Sequence, residues 1–129
     1  MVIVPGATGE MGILPHHTPL LSTLKYGVVR VRYQGNEEIF TVAGGVVEVQ
    51  PDIVTIMADA AENVIEIDVA RAEAARKRAE AQMDKALPEG SDTYLAIEAA
   101  LRRSSLRLEA VRRFRGQRQN IPGAGGEGK

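Results

Sequence analysis

The chain of 129 residues contains no cysteine and no tryptophan, and only 4% of its residues are aromatic. The lack of cysteine excludes disulfides, thiolate metal sites and thiol catalysis. With so few aromatic residues, the core must be built from aliphatic side chains. No apolar run approaches the roughly 20 residues that a membrane-spanning helix needs, and no basic-then-apolar leader stands at the start. The length allows one ordinary domain, or a small domain with an appendage.

The first half of the sequence has the pattern of short β-strands. Val28 to Tyr33 alternates, with Val29, Val31 and Tyr33 on one face and Arg30 and Arg32 on the other. Gln34 to Glu37 is predicted to form a hairpin turn, and Pro5 to Pro15 a loop-rich segment. The remaining strands are predicted at 1–4, 20–24, 38–43, 46–49 and 53–58. Strands at this spacing favour an antiparallel sandwich or barrel.

The second half predicts a pair of helices. Asp68 suits the N-cap of a first helix, and a stripe of small side chains follows it at Ala72, Ala75, Ala79, Met83 and Ala86. Pro88 and Gly90 are expected to end that helix, and Ser91 or Asp92 to cap the next. The apolar seam of the second helix is Tyr94, Ile97, Leu101, Ser104, Leu108 and Val111. Such thin stripes make the helical hairpin marginally stable unless it docks, so it could open.

Several polar groups are candidates for function. Arg71 and Arg78 share a helix face and could converge on a polyphosphate or a carboxylate cluster, or could simply form a solvated face. The last third is rich in arginine, which indicates an anionic partner such as nucleic acid, a lipid surface or an acidic protein, or again a solvated face. His16-His17 favours a structural or interface role over a metal site. Gly44-Gly45 predicts a bulge or a close backbone approach.

Three segments, taken together and in order, resemble the epsilon subunit of F-type ATP synthase. They are GEMGILPHHTPLL (Gly9 to Leu21), VAGGVVEVQPDIVTIMADAA (Val42 to Ala61) and IDVARA (Ile67 to Ala72). The resemblance implies an α+β protein without an active site of its own. Its N-terminal antiparallel β-sandwich would span residues 1–65, its C-terminal antiparallel two-helix hairpin 66–116, and a disordered tail 117–129.

The same resemblance implies a place in a rotary complex. The subunit would bind gamma and the c-ring in the central stalk, at the cytoplasmic face of a bacterial membrane without entering it. Glu10 and Gly12 would face the c-ring, and His17 would lie near gamma. The helices would either fold as a hairpin or extend along gamma to inhibit ATP hydrolysis. The basic second helix would then meet an acidic segment of the beta subunit.

Some members of this family bind ATP through an I/L-D-x-x-R-A motif, which stands here as Ile67, Asp68, Arg71 and Ala72. The further family positions are Glu62, Arg78, Arg103 and Arg107. Clustered arginines suit a polyphosphate because the guanidinium group offers fixed donors to phosphate oxygens. We therefore expect ATP as a regulatory ligand, and no cofactor that the protein requires.

Two further expectations follow. Family members normally begin with a strand hairpin of roughly twenty residues ahead of Met1 to Ile3, about two strands, so Met1 is expected to be an internal methionine or the start of a truncated form. The alternative function is a module that binds nucleic acid or an anionic surface through the arginine-rich helix. The net charge of -1 and the scarcity of aromatic residues disfavour that alternative.

Overall fold

The computed structural model describes residues 1–85 and 88–115, so the predicted tail at 117–129 and the stripe position Ala86 lie outside it. Six strands come first: β1 (Val2–Gly6), β2 (Gly9–Ile13), β3 (Leu20–Tyr33), β4 (Asn36–Val49), β5 (Val54–Ala58) and β6 (Ala61–Asn63). A 3₁₀ turn (Val64–Glu66) leads into helix α1 (Val69–Met83). Helix α2 (Asp92–Ala110) follows and continues into a π-helical turn (Val111–Arg115). The predicted α+β class is confirmed.

The strands form an antiparallel sheet in the order β2-β1-β3-β4-β5, with β6 also paired to β4. Two predictions about strand boundaries are wrong. The segment from Pro5 to Pro15 is not simply a loop, because β2 pairs with β1 along its whole length despite its two glycines. The short strands predicted on either side of residues 25–27 and 44–45 are also continuous, since Tyr26 pairs with Ala43 and Leu24 with Gly45.

Strands β3 and β4 change the face on which they bury side chains near their middle. On β4, Val42 lies in the sandwich core before Gly44-Gly45, whereas Val47 and Val49 lie in that core after it. Side chains alternate along a strand, so a shift from even to odd positions requires a local irregularity. Gly44 and Gly45 supply it with φ angles of +88° and +132°, which glycine adopts at little cost.

Gly45 also permits a close approach of two backbones, as the sequence predicted. A Cβ atom at this position would overlap the Met57 carbonyl oxygen and lie 2.7 Å from the Ala58 Cα atom. Strand β3 changes its buried face beside this position, because Leu24 and Val29 both face the core although they lie an odd number of residues apart. The bend therefore crosses both long strands. It separates a half that faces only the sandwich core from a half that also faces the helices.

The core of the β domain is aliphatic. Its buried members all have branched aliphatic side chains: Val4, Ile13, Leu24, Val29, Val42, Val47 and Val49. Each fully buried aliphatic side chain contributes about 1.5–3 kcal/mol relative to exposure. The core is therefore built from aliphatic side chains, as the scarcity of aromatic residues predicted.

Both helices begin with the predicted caps. The Asp68 carboxylate accepts a hydrogen bond from the Arg71 backbone N–H at 3.1 Å, and the Ser91 hydroxyl accepts one from the Tyr94 N–H at 3.2 Å. Helix α1 ends at Met83, before Pro88. Ser104, which interrupts the seam of α2, is 1% exposed and donates its hydroxyl to the Ala100 and Leu101 carbonyls. It therefore costs the hairpin no unpaired polar group.

The hairpin is docked on the β domain through a second apolar cluster. Ile39 from β4, Val64 and Ile67 from the segment before α1, and Ala110 and Phe114 from the end of α2 are all buried together. Val28 and Val111 pack against them. The contacts between the helices and the sheet are made mainly by α2, and the turn that follows α2 contacts the 3₁₀ turn at Val64–Glu66. This cluster is the apolar part of the docking contact, and the Glu62–Arg107 ion pair adds to it.

Candidate functional site

A cavity of about 480 Å³ lies where the β domain meets the hairpin, within the size range of sites for small ligands. We call it the arginine cavity. Three guanidinium groups and three carboxylates line it, together with Ile67 and two alanines. The charged residues are Arg71, Arg78, Arg107, Glu62, Glu66 and Asp68.

Helix α1 places the cationic side chains of one wall. Arg71 and Arg78 are two turns apart on the same face, as predicted, and Ala72 and Ala75 between them are small enough to leave the cavity open. The cavity lies at the start of α1, where backbone N–H groups and the helix dipole favour an anion. The Asp68 cap fixes this end of the helix.

The opposite wall comes from α2 and β6. Arg107 Nε donates to Glu62 Oε1 at 2.7 Å, and both side chains are a little over one-third exposed. This ion pair connects the last strand of the sheet to the second helix, and both of its members line the arginine cavity. One guanidinium of the site therefore already has an acidic partner in this state.

The other two arginines are available to a ligand. Across residues 1–85 and 88–115, the Arg71 and Arg78 side chains form no ion pair or hydrogen bond with the protein. An arginine without a partner is free to donate bidentate hydrogen bonds to phosphate or carboxylate oxygens. The two sit on one helix face about 10 Å apart along its axis, so an extended anion such as a polyphosphate can be shared between them.

The structure brings together seven of the eight predicted residues. Glu62, Ile67, Asp68, Arg71, Ala72, Arg78 and Arg107 all line the arginine cavity. Arg103 instead lines an adjoining cavity of about 190 Å³, which Glu62 and Arg107 also border. Sequence reasoning missed Glu66 and Ala75. Ala75 had a usable signal, because it lies four residues after Arg71 and so on the same helix face.

The predicted interface residues lie on β2, at the other end of the strand order, and in the loop that follows it. Glu10 and Gly12 are exposed on β2, which pairs on one side with β1 and ends the strand order. His17 is partly buried, and its Nδ1 lies 2.7 Å from the Thr18 carbonyl oxygen. His16 has a φ of +63°, so the two histidines have different backbone conformations. Exposed residues on an edge strand are open to a partner.

In the described ranges, no helix is both long enough and apolar enough to cross a membrane. The chain matches the sequence profiles of the ATP synthase delta/epsilon chain, with the β-sandwich domain at residues 1–64 and the long α-helix domain at residues 66–112. A β-sandwich followed by two helices, together with these sequence matches, defines a central-stalk subunit of an ATP synthase. The chain belongs to the delta/epsilon family and is an epsilon subunit of F-type ATP synthase.

Individual relatives agree. The chain is 44% identical over 117 residues to the ATP synthase epsilon chain of Acidithiobacillus ferridurans, covering 91% of this chain and 82% of that one. It is 44% identical over 113 residues to the epsilon chain of Halalkalibacterium halodurans, covering 88% and 84%. Among solved structures, it is similar to a chain in the Euglena gracilis mitochondrial ATP synthase (OSCP/F1/c-ring), with 26% identity and a TM-score of 0.68. That match covers 84% of this chain and 67% of the other.

Proposed function

We propose that this subunit links gamma to the c-ring in the central stalk and inhibits ATP hydrolysis through mobile C-terminal helices. The observation that carries the proposal is the docking of the hairpin through one small apolar cluster, which includes Ile39, Val64 and Phe114, and a few polar contacts such as the exposed Glu62–Arg107 pair. A contact this limited can be broken without disturbing the separate core of the β domain. The hairpin can then leave as a unit.

The partner surfaces proposed are those that the family resemblance implies, and the exposure of strand β2 supports one of them. The edge strand β2 offers Glu10 and Gly12 to the c-ring, and the partly buried His17 lies on the β domain as a contact for gamma. When α2 extends, its arginines become available to an acidic segment of the beta subunit. The complex would lie at the cytoplasmic face of a bacterial membrane, with this subunit peripheral to it and without an active site of its own.

Co-purification with the gamma subunit of the same organism tests the stalk assignment. We expect a stable complex with the full chain, and a weaker one with His17→Ala than with Thr18→Ala, whose exposed side chain serves as the control. Failure of the unaltered chain to bind gamma would overturn the proposal. Equal binding by the two variants would remove only the role of His17.

We further propose that the arginine cavity binds ATP as a regulatory ligand. Two unpaired guanidinium groups, the start of α1 and a third guanidinium on α2 surround a space that suits a small polyphosphate. The ligand would contact α1 through Arg71 and Arg78, and α2 through Arg107. Binding of this kind favours the docked hairpin, because the wall formed by Glu62, Glu66 and Ile67 completes the cavity only when the hairpin is docked.

The ATP site is tested with a double variant and a matched control. Arg71→Ala with Arg78→Ala should abolish nucleotide binding measured by calorimetry. Arg76→Ala with Lys77→Ala removes the same charge from the same helix at positions outside the cavity, so it should leave binding unchanged. Unchanged affinity in the first variant would overturn the assignment.

The alternative of a nucleic-acid or anionic-surface module gains no support from the docked structure. Most arginines near the end of α2 contact groups of the chain itself: Arg107 pairs with Glu62, Arg102 lies over the Tyr26 ring, Arg113 lies over the Phe114 ring, and Arg115 donates to backbone carbonyls.

A further inference from the structure

The π-helical turn at Val111–Arg115 lies against the segment that connects the sheet to α1. Its Phe114 is 4% exposed and packs with Val64 and Ile67 of that segment. Turns of π-helix are often found at functional positions in helices. The turn packs the residues that follow α2 against the residues that precede α1. The first and last residues of the hairpin are therefore in contact.

Arg115 adds a polar contact at the same point. Its Nη2 donates to the Val64 carbonyl at 2.7 Å and to the Ile67 carbonyl at 2.8 Å, with a longer contact of 3.3 Å to Ile65. Its Nε is buried and has no hydrogen-bond partner among the described residues. Hydrogen bonds from a charged donor are stronger than neutral ones. One side chain therefore fixes the whole connecting segment.

Two guanidinium groups lie near the ring of Phe114. The Arg30 Cζ atom lies 5.2 Å from the ring centroid and the Arg113 Cζ atom lies 4.9 Å from it. Arg30 is itself anchored on the sheet, because its side chain pairs with the buried Glu37 carboxylate at 3.1 Å. The β domain thus presents an oriented guanidinium to the ring, a favourable cation–π arrangement.

We propose that Phe114 and Arg115 form a latch that holds the hairpin on the β domain. When the latch opens and the more exposed contacts of Arg107 with Glu62 and of Arg102 with the Tyr26 ring also part, the contacts between α1 and α2 remain and the hairpin moves away as one body. Phe114 and Arg115 do not line the arginine cavity, so the latch favours the docked helices even when that cavity is empty. The proposal extends the mobile-helix function proposed above and identifies the residues that control it.

The latch also positions the ligand site. Ile67 accepts the Arg115 hydrogen bond, contributes its side chain to the docking cluster, and lines the arginine cavity immediately before Asp68. Closure of the latch therefore fixes the backbone at the start of α1. Arg71, whose side chain lines the arginine cavity, lies in this first turn of the helix. Arg115 is a positioning residue for this site. This second consequence rests on the ATP site proposed above.

The latch is tested in the full chain without nucleotide. Because the sequence has no cysteine, spin labels can be placed on Thr55→Cys in β5 and Thr93→Cys in α2, both exposed, and their distance distribution measured. Arg115→Met should lower the ratio of docked to released molecules by about tenfold or more, since hydrogen bonds from a charged group are lost. Arg112→Met is the control, because Arg112 is 79% exposed and its pairing with Glu109 is a long 3.9 Å.

Equal distance distributions in Arg115→Met and Arg112→Met would overturn the latch. Phe114→Leu keeps an apolar side chain but removes the ring, so it should shift the same ratio in the same direction. Amide exchange in β3 and β4 should match the unaltered chain in both latch variants. Loss of protection there would show that Arg115 supports the sheet itself, and this too would overturn the proposal.

An ATP titration separates the two proposals. If the unaltered chain binds ATP, Arg115→Met should weaken the apparent affinity by the factor by which it lowers the docked fraction. An unchanged affinity alongside a lowered docked fraction would overturn the positioning role. If the unaltered chain does not bind ATP, the ATP site fails, and the nucleotide-free distances still decide the latch.

Discussion

Glu62 and Arg107 lie 45 residues apart in the sequence and are joined by a hydrogen-bonded ion pair of 2.7 Å between Oε1 and Nε. The pair connects β6, which lies just before the 3₁₀ turn at Val64–Glu66, to the C-terminal part of α2. Both side chains remain more than one-third exposed, so solvent screens their attraction. The pair therefore orients two walls of the arginine cavity more than it stabilises the fold.

A double-mutant cycle measures this pair. We expect Glu62→Ala and Arg107→Ala to be coupled by about 0.2–1 kcal/mol in the free energy of unfolding, and less in high salt. Urea unfolding of the two single variants and the double variant gives the value. A coupling above about 2 kcal/mol would show that the pair is far better shielded from water than its exposure indicates.

Gly45→Ala tests the bend in the long hairpin. The variant should lose more than about 3 kcal/mol of unfolding free energy, because backbone strain adds to the overlap with the Met57 carbonyl. Gly9→Ala is the matched control. Gly9 has a similar φ of +139° but faces open space, so only the strain of about 1–3 kcal/mol remains. Equal losses in urea unfolding would mean that the close approach at Gly45 contributes nothing.

Glu37→Gln should destabilise the β domain. The Glu37 carboxylate is 4% exposed and accepts from Arg32 at 2.6 Å and from Arg30 at 3.1 Å. Loss of its charge weakens both contacts, and we expect a loss of about 2 kcal/mol, reduced by the partial exposure of the arginines. Glu38→Gln, at the adjacent and less buried position, keeps an amide oxygen that can accept the exposed hydrogen bond from the Tyr33 hydroxyl, so it should change stability by less than about 0.5 kcal/mol. A similar loss in both variants by thermal unfolding would contradict this account.

Asp68→Ala should shorten or fray the start of α1. The substitution removes the acceptor for the Arg71 N–H and should cost about 1 kcal/mol. Asp68→Ser keeps a capping oxygen and should stay close to the unaltered chain in circular dichroism and unfolding. If Asp68→Ser lost as much as Asp68→Ala, the carboxylate would be needed for something other than the cap.

Local signals predicted much of the structure. The alternation at Val29 and Val31, the caps at Asp68 and Ser91, and the order of strands before helices are all set by neighbouring residues. The cavity residues were reached only through the family resemblance, since spacing alone indicated no more than a shared face for Arg71 and Arg78. That resemblance placed six further residues, of which Arg103 lies in the adjoining cavity.

The errors share a physical cause. Strand β2 has two glycines in five residues and forms because β1 is there to pair with it. Glu37 was assigned to the hairpin turn, but the turn is shorter and two arginines draw its carboxylate into the sheet. Phe114 showed no signal of burial, because its partners Ile39 and Val64 are distant in sequence. Each depends on a contact between distant segments, which local patterns do not record.

The position of the docking cluster in the sequence also sets an order of assembly during synthesis. The buried core of the β domain and the strand β5 residues that pack against it all lie within the first 58 residues, whereas the docking cluster requires Ala110 and Phe114 near the far end. Chains fold as they emerge from the ribosome, N-terminal part first. The β domain can therefore mature while the helices are still being made. The nascent protein passes through a stage in which its sheet is finished and its helical arm has no fixed position.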